Sequence, residues 1–396
     1  RRKCRKRGRE MTSISTGEMA QEVLRSIQKE YKSLNKFNIM VLGKTGVGKS
    51  TLINNLFSEK IVETGIGRPV TQEIKRVEKE GFPLALYDVP GLELSGTNNV
   101  DGLLEQILGE IARGVQNSNI DQAIHCICYC IATPLHRFEQ AEIDFLKKFI
   151  NGASMYDVPI IIVLTQSYDK EDARELKRAI RKENLDVVSI VPILAEDFII
   201  NKVVGQEAYG LDKLADVMLQ VIPDTVKKTF IAIQCANLNM KIDKAKSIVA
   251  VAAAGAAVTG ASPIPLSDAA FLVPAEIAML AKITATFGLP IAKGTLSTII
   301  SGTIGTAGAT VLGKTVVANI FKLLPGGGSL IGGVISGATA AALTAALGEA
   351  YIAILVQICK GDITMHDLES EKGKQKVKEI FNSRLKVKRD KKGQPK

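Results

Sequence analysis

The residues Gly43-Lys44-Thr45-Gly46-Val47-Gly48-Lys49-Ser50 carry a glycine, four spacer residues and then Gly-Lys-Ser, between the apolar run FNIMVL (37–42) and the helix-like stretch TLINNLF (51–57). That context and spacing suit one kind of chemistry, the binding of phosphate. Glycines let successive backbone N–H groups turn towards phosphate oxygens, and the N-terminus of the following helix adds a favourable field. Lys49 can place its ammonium at the β- and γ-phosphates, the Ser50 hydroxyl can ligate Mg²⁺, and Thr51 is counted with the nucleotide-binding residues.

Two later positions extend the pattern. Asp88-Val89-Pro90-Gly91 closes the apolar run LALYDV (84–89), where an aspartate can hold Mg²⁺ through water and the Gly91 N–H can sense a γ-phosphate. Between the two motifs, Thr71 in Arg68-Pro69-Val70-Thr71 can supply a second Mg²⁺ hydroxyl; Thr64 competes for that role.

In this order the chain resembles the translation-factor-related, Era-like GTPases, in which GxxxxGK[ST], a Thr, DxPG, [NT]KxD and a short Ser-Ala-type loop follow one another. The resemblance implies a Ras-like P-loop domain of α/β class with a mostly parallel sheet. It implies GTP/GDP and Mg²⁺ as cofactors, Lys49, Thr71 and Gly91 as the catalytic set, and Ser50, Thr71 and Asp88 around the metal. The base would be met by Thr165, Gln166 and Asp169 and by the backbone N–H of Ala195. Here the chain departs from the pattern. In Thr165-Gln166-Ser167-Tyr168-Asp169 a glutamine replaces the lysine and the aspartate comes one residue late, so guanine choice requires a bulge that restores Asp169. Leu92 stands where Ras-type relatives carry the water-orienting glutamine, which implies slow turnover completed by dimerisation, a cation or a partner. Arg68, Arg113 and Arg137 lie near nucleotide-side loops, and none is assigned as an arginine finger.

Elements able to position these residues alternate along the chain. Apolar runs at 37–42, 84–89, 123–131, 159–164 and 187–194 are separated by helical stretches near 51–58, 101–117, 139–151, 171–183 and 211–221, which predicts a parallel sheet wrapped by helices. IKRVEK (74–79) reads as an added edge strand. Ahead of them Ser15 and Glu18 form a capping box, and Val23, Leu24, Ile27, Tyr31 and Leu34 recur at helical spacing.

After Pro223 the composition shifts to Ala, Gly, Ser and Thr. The windows Ser247–Ser267, Thr295–Gly313 and Ser329–Gly348 lack charge for about the length of a membrane span. Membrane insertion and a soluble Ala/Gly-rich bundle are equal readings of this half. Ala252–Leu289, with SPIPLSDA at Ser262–Ala269 as its most specific part, resembles a helical domain of uncharacterised role found C-terminal to Era-like GTPase domains. The architecture is more distantly similar to the immunity-related GTPases. Asp268 and Glu276 within it read as helix-capping or solvent-facing acids.

The net charge of +10 resides at the ends. Residues 1–9 carry seven basic side chains and 371–396 carry eleven against three acids, so of 51 basic and 41 acidic residues the body keeps 33 and 38. Such tails suit anionic lipid or RNA phosphates, or simply solvent. Six cysteines without CxxC spacing, three of them alternating at Cys126, Cys128 and Cys130, read as small core residues in a reducing compartment. The expected organisation is a basic N-terminus with an amphipathic helix (1–36), a GTPase domain (37–223), an all-α domain (224–366) and a basic tail (367–396). A cytoplasmic location, with membrane association as an alternative, goes with it. The expected partners are guanine nucleotide, a second copy through the GTPase domain and an anionic membrane; RNA or the ribosome is disfavoured for want of an aromatic platform.

Overall fold

In the computed structural model the described residues are 16–60, 74–92, 100–116, 121–135, 139–200, 203–259, 264–265, 272–291, 293–304, 334–335, 337–364, 367–368 and 370–385. Thr64, Arg68, Thr71 and Arg137 lie outside them, as do most of Ser262–Ala269, the basic residues 1–9 and the last part of the basic C-terminal tail, 386–396. The chain divides into two compact units, one of Leu34–Met240 and one that joins residues up to Ser33 with those from Lys241 onwards.

The leading helix α1 (Thr16–Lys32) belongs to the second of these. The Leu34–Met240 unit is built on strands β1 (Phe37–Leu42), β2 (Lys75–Glu78), β3 (Leu84–Asp88), β4 (Cys126–Ala132), β5 (Ile160–Thr165) and β6 (Ser189–Pro192). They lie in the order β2-β3-β1-β4-β5-β6, all parallel except the antiparallel edge strand β2. Helices α2 (Lys49–Leu56), α3 (Val100–Gln116), α4 (Gln140–Ala153), α5 (Lys170–Lys182) and α6 (Leu211–Val221) connect and cover them.

The two-residue period of a strand sorts the apolar runs into two cores. Phe37, Ile39 and Val41 of β1, Cys126, Cys128 and Cys130 of β4 and Ile161 and Val163 of β5 face the α2 and α6 side. Met40, Leu42, Tyr129, Ile131, Ile162 and Leu164 face the side of α3, α4 and α5. The three cysteines are free, buried thiols on one face of a central strand, which leaves room for helix α2 close against the sheet.

Two elements have no counterpart in the sequence-based expectation. Phe198–Ile200 (β7) and Val203–Gln206 (β8) form a hairpin after β6, its strands too short to show a two-residue period. Helix α7 (Asp224–Ile233) follows the compositional break at Pro223, yet it packs on the sheet unit. Val226, Phe230 and Ile233 recur at helical spacing and are buried. The Phe230 ring lies 5.3 Å from that of Phe37, and the Thr229 hydroxyl donates to the Asn35 carbonyl at 2.7 Å.

In the other unit, α1 packs on α9 (Leu272–Phe287) and α10 (Lys293–Ile304), following α8 (Leu238–Thr259) in sequence, and helices Gly337–Cys359 and Glu371–Leu385 complete what is described. Val23 and Ile27 of α1 are buried, as the helical period requires. This half is helical, with one short antiparallel ladder in which Ile264–Pro265 pairs with Val334–Ile335. Glu276 is buried rather than capping or solvent-facing, and burial pushes its carboxyl up to about 7. Among the described residues no helix is long and apolar enough to cross a membrane.

His125, just ahead of β4, is a buried acceptor. The Asn38 N–H donates to its Nδ1 at 2.9 Å and the ring stacks on Phe37 at 5.8 Å. Burial pushes the imidazole down to about 4. Unfolded, it would take up a proton near pH 6.5, so between pH 6.5 and 4 the unfolded chain binds a proton that the folded chain refuses. Stability is therefore fully present above pH 6.5 and falls as the pH drops through that window, by about 3 kcal/mol for this residue. Urea unfolding at pH 7, 5 and 4 measures it, and His125→Gln is expected to remove this share of the acid loss.

Candidate functional site

The loop between β1 and α2 is shaped by backbone conformations that side chains resist. Gly43 has φ of 141°, and a β-carbon there would run into the Cys130 carbonyl oxygen; Gly48, at φ of 90°, caps α2. The Lys49 ammonium donates back to the carbonyls of Gly43 at 2.9 Å and Lys44 at 3.1 Å, so it bridges the loop it belongs to. A cation held in this way stands ready for an anion above the loop.

Asp88 ends β3 beside Val41 and opposite Lys75. Burial raises its carboxyl above the usual carboxylate range, and the positive charges of Lys49 and Lys75 oppose that rise. Among the described residues no side-chain hydrogen bond to this carboxylate is made. A half-buried acid in that state gains from a cation, which fits Mg²⁺ at Asp88 and the Ser50 hydroxyl. Three converging His, Cys, Asp or Glu side chains are absent among the described residues, so such an ion would complete its shell with water and phosphate oxygens.

Gly91 comes so close to the loop that a β-carbon would collide with the Thr45 hydroxyl and lie 2.9 Å from its backbone nitrogen. The Leu92 N–H donates to the Gly43 carbonyl at 3.3 Å, and the Leu92 side chain is buried in the core under α3. The two motifs, more than forty residues apart in the chain, thus meet backbone to backbone. Of the three arginines, only Arg113 is described, and it pairs with Glu110 on the exposed side of α3.

Lys44 adds a contact that the motif does not announce. Its ammonium lies 3.1 Å from Glu139 and 3.2 Å from Glu142, and the Tyr129 hydroxyl donates to Glu142 at 3.2 Å. Burial raises the Glu142 carboxyl and lowers Lys44, but the two carboxylates outweigh burial at Lys44 and its ammonium is held above its ordinary value. This network ties the loop to the N-terminal turn of α4. No sequence signal marks it, since a Glu at the start of a helix is explained by the helix field alone.

On the base side of the loop, the Thr165 hydroxyl donates to the Val47 carbonyl at 2.6 Å, and Gln166 Nε2 donates to the Gly46 carbonyl at 2.9 Å. Gln166 itself adopts φ of 52°. Both residues therefore brace the phosphate loop. Asp169 does something else. Its carboxylate accepts the N–H groups of Glu171 at 2.6 Å and Asp172 at 3.4 Å, capping α5. It stands directly before α5, the position from which a short acid can meet the donors of that helix end. Ala195 lines a cavity of about 240 Å³ together with Gly48, Thr51, Thr165, Gln166 and Tyr168, while Asp169 does not. Glu196, Asp197 and Phe198 close the same cavity and went unread in the sequence, although they directly follow Ala195.

A phosphate loop between the first strand and first helix of this sheet defines a Ras-like P-loop GTPase fold, followed by a helical region. Residues 38–191 match the family described as 50S ribosome-binding GTPase, and residues 232–386 match a domain of unknown function, DUF697. The chain is 30% identical over 185 residues to neuronal-specific septin-3 of Danio rerio, an alignment that covers 41% of this chain and 50% of the relative. With septin-12 of Homo sapiens it is 29% identical over 176 residues, or 38% of this chain and 49% of that one. The chain spans about half the length of the curated relatives it matches. A solved structure of Aquifex aeolicus Era bound to GDP and AlF4⁻ is 21% identical, covering 48% of this chain and 58% of that one at a TM-score of 0.31.

The Lys44 network yields a stability test. Lys44→Met leaves the Glu142 carboxyl buried without its cation and is expected to cost about 2 kcal/mol in chemical unfolding. Adding Glu142→Gln should recover more than half of that, since the uncompensated charge is gone.

Proposed function

We propose that the Leu34–Met240 unit binds GTP and GDP, hydrolyses the γ-phosphate slowly with Mg²⁺, and acts as a switch coupled to the helical unit. The observation that carries this reading is the meeting of Lys49, Asp88 and Gly91 at the mouth of the Gly43–Ser50 loop. The loop amides and Lys49 bind and orient the phosphates. Asp88 and Ser50 would hold Mg²⁺, with Thr71 as the further hydroxyl. When bound, Mg²⁺ draws charge from the β- and γ-phosphate oxygens. A γ-phosphate oxygen would accept the Gly91 N–H, and loss of phosphate would free Gly91–Leu92 from the loop.

Two features support slow turnover and coupling. Leu92 points into the core, so no side chain at that position can orient an attacking water. The end of α2 is bonded to the segment that leads out of the unit. Ser58 N–H donates to the Ile233 carbonyl at 2.9 Å and Cys235 N–H to the Leu56 carbonyl at 3.0 Å. Displacement of α2 would thereby reach Met240 and the chain beyond it.

Multiple-turnover phosphate release from GTP by the full chain tests the reading, with and without Mg²⁺. Lys49→Ala is expected to weaken nucleotide binding by about a hundredfold, and Asp88→Asn to lower Mg²⁺-dependent release by about tenfold with binding retained. Bound GTP that stays intact over many hours would leave a nucleotide-holding module and remove the hydrolytic half of the proposal.

A further inference from the structure

The cavity beside the phosphate loop is lined differently from what the [NT]KxD pattern would supply. Two facts frame it. The position where [NT]KxD carries its aspartate is occupied by Tyr168, and the neighbouring Asp169 caps α5 through Oδ1 and does not line the cavity. A carboxylate at that position would have accepted the guanine N1–H and exocyclic amine together. Tyr168 cannot replace that pair of acceptors.

The structure supplies a different wall. The Tyr168 ring lies 4.4 Å from that of Phe198, tilted by 43°, and both line the cavity next to Gly48 and Ala195. Phe198 is positioned by the β7–β8 hairpin, and Asp197 anchors that hairpin by accepting the Ala208 N–H at 2.7 Å through Oδ1. Glu196 is tied to α2, accepting from Asn55 Nδ2 at 3.0 Å through Oε1. Each acid thus has one oxygen engaged in fixing it and a second oxygen on the same carboxylate. At about 240 Å³ the cavity has room for one purine ring system, and a flat ring between an aromatic wall and the Gly48 backbone would be stacked rather than enclosed.

We propose that the base is held on the Tyr168–Phe198 platform and that its N1–H and amine edge is read by the Glu196–Asp197 pair, with Asp169 taking no part. This rests on Gly43–Ser50 being the site of a nucleoside triphosphate. The division of labour follows from the chemistry of each group. Stacking is indifferent to the base's edge and supplies affinity, whereas a fixed carboxylate oxygen accepts from guanine and repels the 2-oxo group of xanthine.

The test is competition of GTP, XTP and ATP against a fluorescent GTP analogue on the full chain with Mg²⁺, in wild type and four variants. Asp169→Asn keeps the helix cap, since asparagine caps as well as aspartate. It should leave the GTP-to-XTP preference within about twofold of wild type. The double variant Glu196→Gln with Asp197→Asn is expected to lower that preference by about tenfold or more, towards XTP. Tyr168→Ala and Phe198→Ala should each weaken all three nucleotides by roughly tenfold with their ratios kept. Unfolding midpoints of every variant are measured in parallel, and a platform variant that fails to fold leaves the two carboxamide substitutions, both at exposed residues, to decide. A shift to XTP in Asp169→Asn overturns the proposal, as does an unchanged ratio in the double variant or a wild type that does not distinguish GTP from XTP. Failure of the triphosphate reading itself shows separately, as a wild-type chain that does not bind the GTP analogue at all.

Discussion

The close approach of Gly43 to the carbonyl of Cys130 is the constraint on which the site depends. It seats the phosphate loop against the end of β4, one strand over from β1, and no side chain fits in the gap. Because the loop is pressed down there, its carbonyls at Gly43 and Lys44 face the Lys49 ammonium, and its far side is open to the Gly91 backbone. The small thiols of β4 belong to the same arrangement. Cys126, Cys128 and Cys130 keep the α2 face of the strand shallow, so that α2 can start directly from the loop.

From that seat, bonds run out to three neighbouring elements. Thr165 and Gln166 at the end of β5 hold Val47 and Gly46, Leu92 after β3 holds Gly43, and Glu139 and Glu142 of α4 hold Lys44. These are bonds from rigid ends of strands and helices to one short loop. They explain how a segment with three positive-φ glycines keeps one conformation although its conformational freedom is large when unfolded. Under the proposed function, an anion in the loop would pull on several elements together.

The sheet and its connecting helices were legible because alternating apolar residues and helix-length polar stretches have different periods, and the edge strand 74–79 was legible by the same sign. Gly43–Ser50 and Asp88–Gly91 were legible because spacing alone brings backbone groups to strand ends. Side-chain partnerships across the fold were not. Nothing local distinguishes the Lys44 that binds Glu142 from a solvated lysine, and α7 hid behind a change of composition at Pro223 that did not coincide with a change of packing. The hairpin at Phe198–Gln206 was missed for a related reason, since a strand of three or four residues has too few alternations to show a period.

Asp169 shows how one residue of spacing changes what a side chain meets in the fold. Read by spacing, it was a base-binding acid displaced by one residue. In the fold, that displacement carries it onto the axis of α5, where two backbone N–H groups compete for it. A helix end offers its donors at fixed positions with no further ordering cost, whereas a nucleotide must supply them from solution, so the cap is made first. Once the acid is claimed, the residue that now occupies its former place determines what the pocket presents, and that residue is aromatic. The same one-residue shift accounts for the departure from the motif and for the exposed tyrosine beside a phosphate loop, which meets Phe198 on a hairpin outside the central sheet.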